Sequence, residues 1–382
     1  MARTLPRQTG TTMARTLSQL PWELLAVIVV IGSFGVIALY SVSGGSFSPW
    51  AERHALRLAV GLALAIAIGI VPIRFWLAMA NPLYLVALGL LIAVPFVGTS
   101  TMGAKRWIGT TTLSVQPSEF IKFAIVLVLA RLFFSSPPDR RSHPAVVFTA
   151  LALVAVPAAL VIRQPDLGSG LLIATLGVVV IFLAGVRWSY FVSGAGAAAV
   201  LGYVLWHNLR DYQVNRILTF LEPERDPLGA GYHITQAKIA LGSGGLSGKG
   251  YLMGSQSQLN FVPEKHTDFA FTMLAEETGF IGSVTLLALY AVLIVIMIGM
   301  AMRVRNDFGR LVIGGAAALV AIHVNVNVAM VIGLLPVVGV PLPLVSFGGS
   351  SILTTMVAIG LAASAFAHRA DVLRRDEIGT LI

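Results

Sequence analysis

Long runs of apolar residues, each ended by a short polar or Gly/Pro-rich stretch, set the frame of this chain. They fall at 22–43, 54–72, 76–97, 117–135, 144–163, 168–185, 189–206, 269–302, 309–335 and 343–367. About 20 apolar residues cover the hydrocarbon of a bilayer, so the pattern predicts an all-α polytopic membrane protein with about ten transmembrane helices. One polar interval, 207–268, is much longer than the others and predicts a large extracytoplasmic loop between helices 7 and 8. The expected organisation is a tail over 1–21, a single membrane domain over 22–367 and a second tail over 368–382.

Composition supports this: of 382 residues, 57% are hydrophobic and 11% charged, with a net charge of +9, far from soluble usage. A basic chain can bind nucleic acid, but the placement of the charge argues for a membrane topology instead. Arg74, Arg140, Arg141, Arg187, Arg303 and Arg305 fall on alternate loops on the side of both tails, whereas the short loops on the opposite side carry only Arg53, Arg57, Lys105, Arg106 and Arg163. The positive-inside rule then puts both termini in the cytoplasm and the long loop outside. No removable signal peptide is expected, because the first run is long enough to span and no small-residue cleavage site follows it. Cysteine is absent, which excludes disulfides and thiolate metal sites.

Two runs carry polarity that membrane burial makes costly. In VQPSEFIKFAIVLVLA (115–130), Pro117 suits a first helical turn, and Glu119 and Lys122 share one face. Lys122 stands about 8 Å into the helix. Such a charge needs a partner or a watery cavity, and the residues leave open both a structural Glu119–Lys122 pair and a site for an anionic substrate group. The second run, HVNVNVAMVIGLLPVVGVPLPLVSFGGSS (323–351), predicts a helix ending near Pro336, a Pro/Gly-rich segment and another helix. Broken backbone at membrane depth survives only where protein or water satisfies it.

Within the long loop, YHITQAKIAL (232–241) predicts a short surface helix with Ile234, Ala237 and Leu241 on one face. GSGGLSGKG (242–250) imitates a phosphate loop, but Ser243 holds the first glycine position and Gly250 follows Lys249, so the nucleotide reading fails. Flexible seating of a lipid head group and simple turn formation are the remaining uses. FVPEKHTDFAF (261–271) gathers Glu264, Lys265, His266 and Asp268 at the mouth of an apolar run. No third ligand stands near His266 and Asp268, so a metal site is not expected. Asp268 could cap the helix, yet capping accounts for none of the charges before it. A carboxylate can take the proton of an attacking sugar hydroxyl while cations at Lys265 and His266 stabilise a departing diphosphate.

Together with GAKRWIG (103–109), QPSEFIK (116–122), RQPDLGSG (163–170), EPERDPLGAGYHITQAKIALGSGGLSGKG (222–250), QSQLNFVPEKHTDFAF (256–271), LAEETGFIG (274–282) and GLLPVVGVPLPLVSFGGSS (333–351), these stretches resemble the SEDS (shape, elongation, division and sporulation) family, nearest its rod-shape RodA branch. The resemblance covers nearly the whole chain. It implies a peptidoglycan glycosyltransferase of the bacterial cytoplasmic (inner) membrane that polymerises lipid II during elongation and releases undecaprenyl pyrophosphate. It implies Asp268 as the residue required for polymerisation, and Trp107, Glu119 and Lys122 as residues that line or brace the cavity. Arg53, Lys105, Arg106, Glu264, Lys265, His266 and Ser346 complete the expected substrate-binding set. Ala270, Ala329 and Phe347 depart from the residues common in the family, and none of them is the base.

No cofactor is implied, and a divalent cation, magnesium or manganese, stays open. The implied partners are a class B penicillin-binding protein, a single-span transpeptidase, and other elongation-complex membrane proteins; nucleic acid is not expected. The transpeptidase must be a separate chain, because none of Lys105, Lys122, Lys238, Lys249 and Lys265 has a serine three residues before it to form a Ser-x-x-Lys nucleophile. Competing readings are a flippase that passes a lipid-linked head group along Glu119, Lys122 and the broken helix, a septal FtsW-type polymerase and a non-catalytic scaffold.

Overall fold

The computed structural model describes residues 13–101, 104–109, 114–206, 230–258 and 264–373, with positions 214, 218, 219, 222 and 375. Parts of the long-loop motifs, at 223–229 and 259–263, lie outside the described residues. The helices with described bounds are α1 (Met13–Gln19), α2 (Trp22–Val42), α3 (Trp50–Ile70), α4 (Ile73–Val97), α5 (Pro117–Ser135), α6 (Pro144–Arg163), α7 (Leu167–Leu183), α8 (Trp188–Trp206), α9 (Ala230–Ser243), α10 (Ser255–Gln258), α11 (Ala270–Arg303), α12 (Asp307–Val331) and α13 (Gly349–Ala367). Seven of them, α2, α3, α4, α6, α11, α12 and α13, are long and apolar enough to cross a membrane by length and composition. Helices α5, α7 and α8 stand at the other three expected positions; α5 carries Glu119, Lys122 and Arg131, and α7 has 17 residues. A small antiparallel sheet, β1 (Thr99–Thr101), β2 (Ala104–Gly109) and β3 (Ser114–Val115), joins α4 to α5.

Helix α5 is the centre of the bundle. It packs against α4, α6, α7, α12 and α13, and almost all of its residues are buried. Glu119 and Lys122 are therefore enclosed by other helices rather than by lipid, the setting in which intramembrane charge is tolerated.

Prolines inside helices leave carbonyls without their usual donor four residues on. Side chains fill each gap. Gln164 Nε2 donates to Leu91 O at 2.8 Å, below Pro95, and the Tyr84 hydroxyl donates to Leu153 O at 2.9 Å, below Pro157. Arg131 donates to Ala78 O at 3.1 Å, below Pro82, and to Leu77 O at 3.0 Å. The RQPDLGSG motif is thus partly a joint: Gln164 plugs α4, and Asp166 caps α7 by accepting from Ser169 N at 3.2 Å.

Two backbone breaks shape the end of the bundle that carries the long loop. Gly279 interrupts α11 with φ 68 and ψ −161, and the glycine-rich turn docks into the gap. Phe280 and Ile281 donate to Gly245 O and Leu246 O at 2.9 and 3.1 Å, while Glu276 O and Glu277 O accept from Lys249 and Gly250 at 3.1 Å each. These are the four groups that would have bonded one another in an unbroken helix. A Cβ on Gly248 would stand 2.0 Å from Glu277 O and one on Gly244 2.3 Å from Ala275 O, so these two glycines of GSGGLSGKG serve close approach of two backbones.

The second break begins earlier than the sequence suggests. Helix α12 stops at Val331, not near Pro336, because Gly333 takes φ 79 and closes a Schellman turn, with Gly333 N on Met330 O at 3.2 Å and Leu334 N on Ala329 O at 2.7 Å. The irregular segment then runs to Gly348, and α13 starts at Gly349 instead of 343. Helix α9 matches the expected amphipathic helix, with Ala237 and Ala240 buried and Leu241 packed on the core.

Candidate functional site

Asp268 lies two residues before α11, in a turn over 264–269. The turn folds on itself because Glu264 takes φ 51 and its carbonyl accepts from Thr267 N at 3.0 Å, while the Thr267 hydroxyl donates to the Glu264 carboxylate at 2.9 Å. Phe269, not Asp268, is the N-cap residue of α11, and no side chain caps it. The capping role expected as the alternative for Asp268 is therefore not filled, and its carboxylate is left for other work.

Two anchors hold this turn against the irregular segment that follows α12. Asn327, fully buried, donates through Nδ2 to Asp268 O at 3.0 Å and to Val340 O at 2.7 Å. Phe347 N donates to His266 O at 2.8 Å. Gly339 closes the back of the site: a Cβ there would stand 3.5 Å from Asp268 Oδ2. Val340 O and Phe347 N of the broken membrane backbone are thus satisfied by protein, and the segment packs against the turn that carries Asp268.

Around the turn, the His266 ring stacks on Trp50 with centroids 4.1 Å apart, and Phe347 meets Trp50 edge-on at 4.8 Å. The Arg57 guanidinium covers the Phe347 ring at 4.3 Å and keeps its buried NH1 without a hydrogen-bond partner. Arg53 stands exposed one turn away on the same face of α3. Burial lowers His266 below the ordinary histidine range, Glu264 raises it in part and Lys265 lowers it further. The ring is neutral near pH 7, so of the two expected flanking cations only Lys265 carries charge; burial also pulls Lys265 down from the usual lysine value.

Burial, with a smaller push from the Glu264 charge, raises Asp268 from 3.8 to about 6. A carboxylate acting as base must be ionised, so activity should rise tenfold per pH unit up to about 6 and then level off. In Glu264→Gln the repelling charge is gone, the Asp268 pKa falls, and the acid limb moves to lower pH. A pH–rate profile of the two proteins checks this; an unchanged limb would exclude Asp268 as the titrating group.

Lys122 and Glu119 form the expected pair, with Nζ 2.6 Å from Oε1. A third member was missed. His323 Nδ1 lies 2.8 Å from Leu319 O, which can only accept, so Nδ1 carries the proton and Nε2 accepts from Lys122 at 3.0 Å. Lys122 is 1% exposed. His323 and Asn327 are one turn apart on α12, so the Lys122 cluster lies about 6 Å below the anchor of Asp268.

The other expected residues make contacts of their own. Lys105 donates to Pro95 O at 3.3 Å, Arg106 donates to Pro165 O, and Trp107 is half-buried on β2 with its carbonyl accepting from Thr99 at 3.3 Å. Ser346 is buried, and its hydroxyl accepts from Leu342 N at 2.9 Å, closing the turn before α13. Beneath Asp268, buried Glu276 pairs with Lys249 at 2.7 Å and accepts from Gln256 N at 3.1 Å. Among the described residues no three His, Asp or Glu side chains converge as a metal site would require.

A polytopic helical membrane protein with a partly buried carboxylate held in a turn against the broken backbone that follows α12 is a narrow class. A family model described as cell cycle protein, spanning the FtsW, RodA and SpoVE proteins, matches residues 18–371; the chain belongs to this SEDS family. It is 42% identical to the peptidoglycan glycosyltransferase MrdB of Escherichia coli K12, over 91% of this chain and 93% of that one. It is 35% identical to the stage V sporulation protein E of Bacillus subtilis, over 89% and 95%. Among solved structures, one of a peptidoglycan synthase complex that coordinates polymerization and crosslinking superposes with a TM-score of 0.81 at 31% identity, over 92% of this chain and 98% of that one. The rod shape determining protein RodA of Thermus thermophilus superposes at 0.69 with 27% identity, over 92% and 98%.

Proposed function

We propose that this protein is a peptidoglycan glycosyltransferase that polymerises lipid II, with Asp268 as general base and undecaprenyl pyrophosphate as leaving group. In the step, Asp268 takes the proton of the attacking sugar hydroxyl and the oxygen forms a bond to the anomeric carbon of the donor. The bond from that carbon to the diphosphate breaks, and the electron pair leaves with the phosphate oxygen. Lys265, Arg53 and Arg57 supply positive charge for the departing diphosphate. The observation that carries this reading is the Asp268 carboxylate, which caps no helix and whose own backbone carbonyl is anchored through Asn327 to the segment beside it.

The higher identity to MrdB than to a probable FtsW of Trichlorobacter lovleyi, 42% against 34%, supports an elongation role over a septal one. The arginine-rich loops support a cytoplasmic-membrane protein with both termini inside. Purified protein in detergent, supplied with pure lipid II, should form glycan polymer; a flippase, having no bilayer to act across, would form none.

The glycosyltransferase makes strands only, so a class B penicillin-binding protein is the expected crosslinking partner, as the synthase-complex neighbour suggests. Polymerisation should rise when that partner is co-purified. Equal rates with and without it, in a complex shown to be stable, would leave the association without a regulatory part.

A further inference from the structure

Arg131 lines a cavity of 490 Å³ between α4, α5 and α6, together with Asn81, Tyr84, Leu85, Ser135 and Thr149. It sits one turn from the end of α5, about 6 Å from the arginine-rich membrane face. The cavity opens on the outer surface of the bundle, where Leu85 is 64% exposed and Asn81 and Thr149 are also exposed. Arg131 itself is 6% exposed, and among the described residues no carboxylate lies within ion-pair distance of it.

Its hydrogen bonds do not account for its charge. The guanidinium NH1 fills the carbonyls at Pro82, but the same repair at Pro95 and Pro157 is made by the neutral donors Gln164 and Tyr84. A neutral side chain would serve equally well at Pro82. A buried cation without a counter-charge is costly, and here it borders a lipid-facing cavity, lined by Asn81 and Thr149 among mainly apolar side chains, at head-group depth.

We infer that this cavity is a binding site for an anionic phospholipid of the leaflet on the arginine-rich side, whose phosphate is the counter-ion of Arg131. Basic pockets between membrane helices on that side are suited to anionic head groups. The Asn81 amide is placed to donate to the phosphate, Thr149, whose hydroxyl donates to Ala145 O at 2.9 Å, forms the far wall, and the acyl chains lie outside along Leu85. The site is separate from the Asp268 turn and does not depend on the proposed reaction.

The test is retention of lipid by the purified full chain, read by native mass spectrometry after exchange into mixed phosphatidylglycerol and phosphatidylcholine. Wild-type protein should hold phosphatidylglycerol by about five-fold or more over phosphatidylcholine, the scale of one basic side chain at a membrane surface. Arg131→Gln keeps a donor for Ala78 O and removes the charge, so the preference should fall to the background set by the other arginines; Arg131→Lys should retain it. Should Arg131→Gln not fold, Thr149→Trp, which fills the cavity with Arg131 in place, should give the same loss. Equal retention of both lipids by the wild type, an undiminished preference in Arg131→Gln or Thr149→Trp, or displacement by a polyprenyl phosphate at equal concentration would overturn the assignment.

Discussion

Lys122→Met should destabilise the protein by about 3–5 kcal/mol, the cost of leaving one member of a buried ion pair alone. Glu119 already has a buried Oε2 without a partner, so it depends on Lys122 for its remaining bond. The substitution also takes the donor from His323 Nε2. Glu119→Gln should be milder, since the ammonium keeps His323 and a neutral amide oxygen. The double variant separates the two roles of the pair. With both charges removed, the groups left unsatisfied, the His323 lone pair and the amide at position 119, are neutral, and thermal unfolding in detergent should show most of the lost stability restored. Polymerisation should recover with it, because the 1% exposure of Lys122 and its two acceptors mark it as a brace for α5 and α12. A stable double variant that makes no polymer would instead assign Lys122 to the substrate.

The helices were legible because apolar run length is a direct readout of bilayer crossing, and the run over 144–163 is matched residue for residue by Pro144–Arg163. Their ends were less so. Pro336 looked like the stop of α12, but Gly333 ends it first, since a left-handed residue with two carbonyls to close is enough to terminate a helix. The Asp268 turn was legible as a charge cluster, and its anchors were partly so. HVNVNV places His323 and Asn327 four apart on one helical face, while Asn325 points outward and bonds to Ala321 O at 2.8 Å. The strand-like alternation hid this helical pairing. The stack of Trp50, His266 and Phe347 was not legible, because it joins residues almost three hundred positions apart, and neither period nor spacing reports contacts of that range. Nor was the docking of the glycine-rich turn into α11, which depends on backbone groups that every residue carries.

The second large effect concerns Asp268. Asn is close in size to Asp and can keep the turn, since Asn327 holds the backbone carbonyl of residue 268 and not its side chain. What Asn lacks is basicity. Asp268→Asn should therefore insert and unfold like the wild type while losing on the order of 10²-fold or more in rate, the usual scale of general-base catalysis. Burial favours the neutral form of this carboxyl, so the uncharged amide brings no folding penalty of its own.

Glycan strands made from pure lipid II in detergent, by wild-type and Asp268→Asn proteins of matched folding, are the most direct measurement of the central claim. Strands from the wild type and at most about a hundredth of that rate from the variant are expected; strand formation by the variant at a comparable rate would contradict Asp268 as the base.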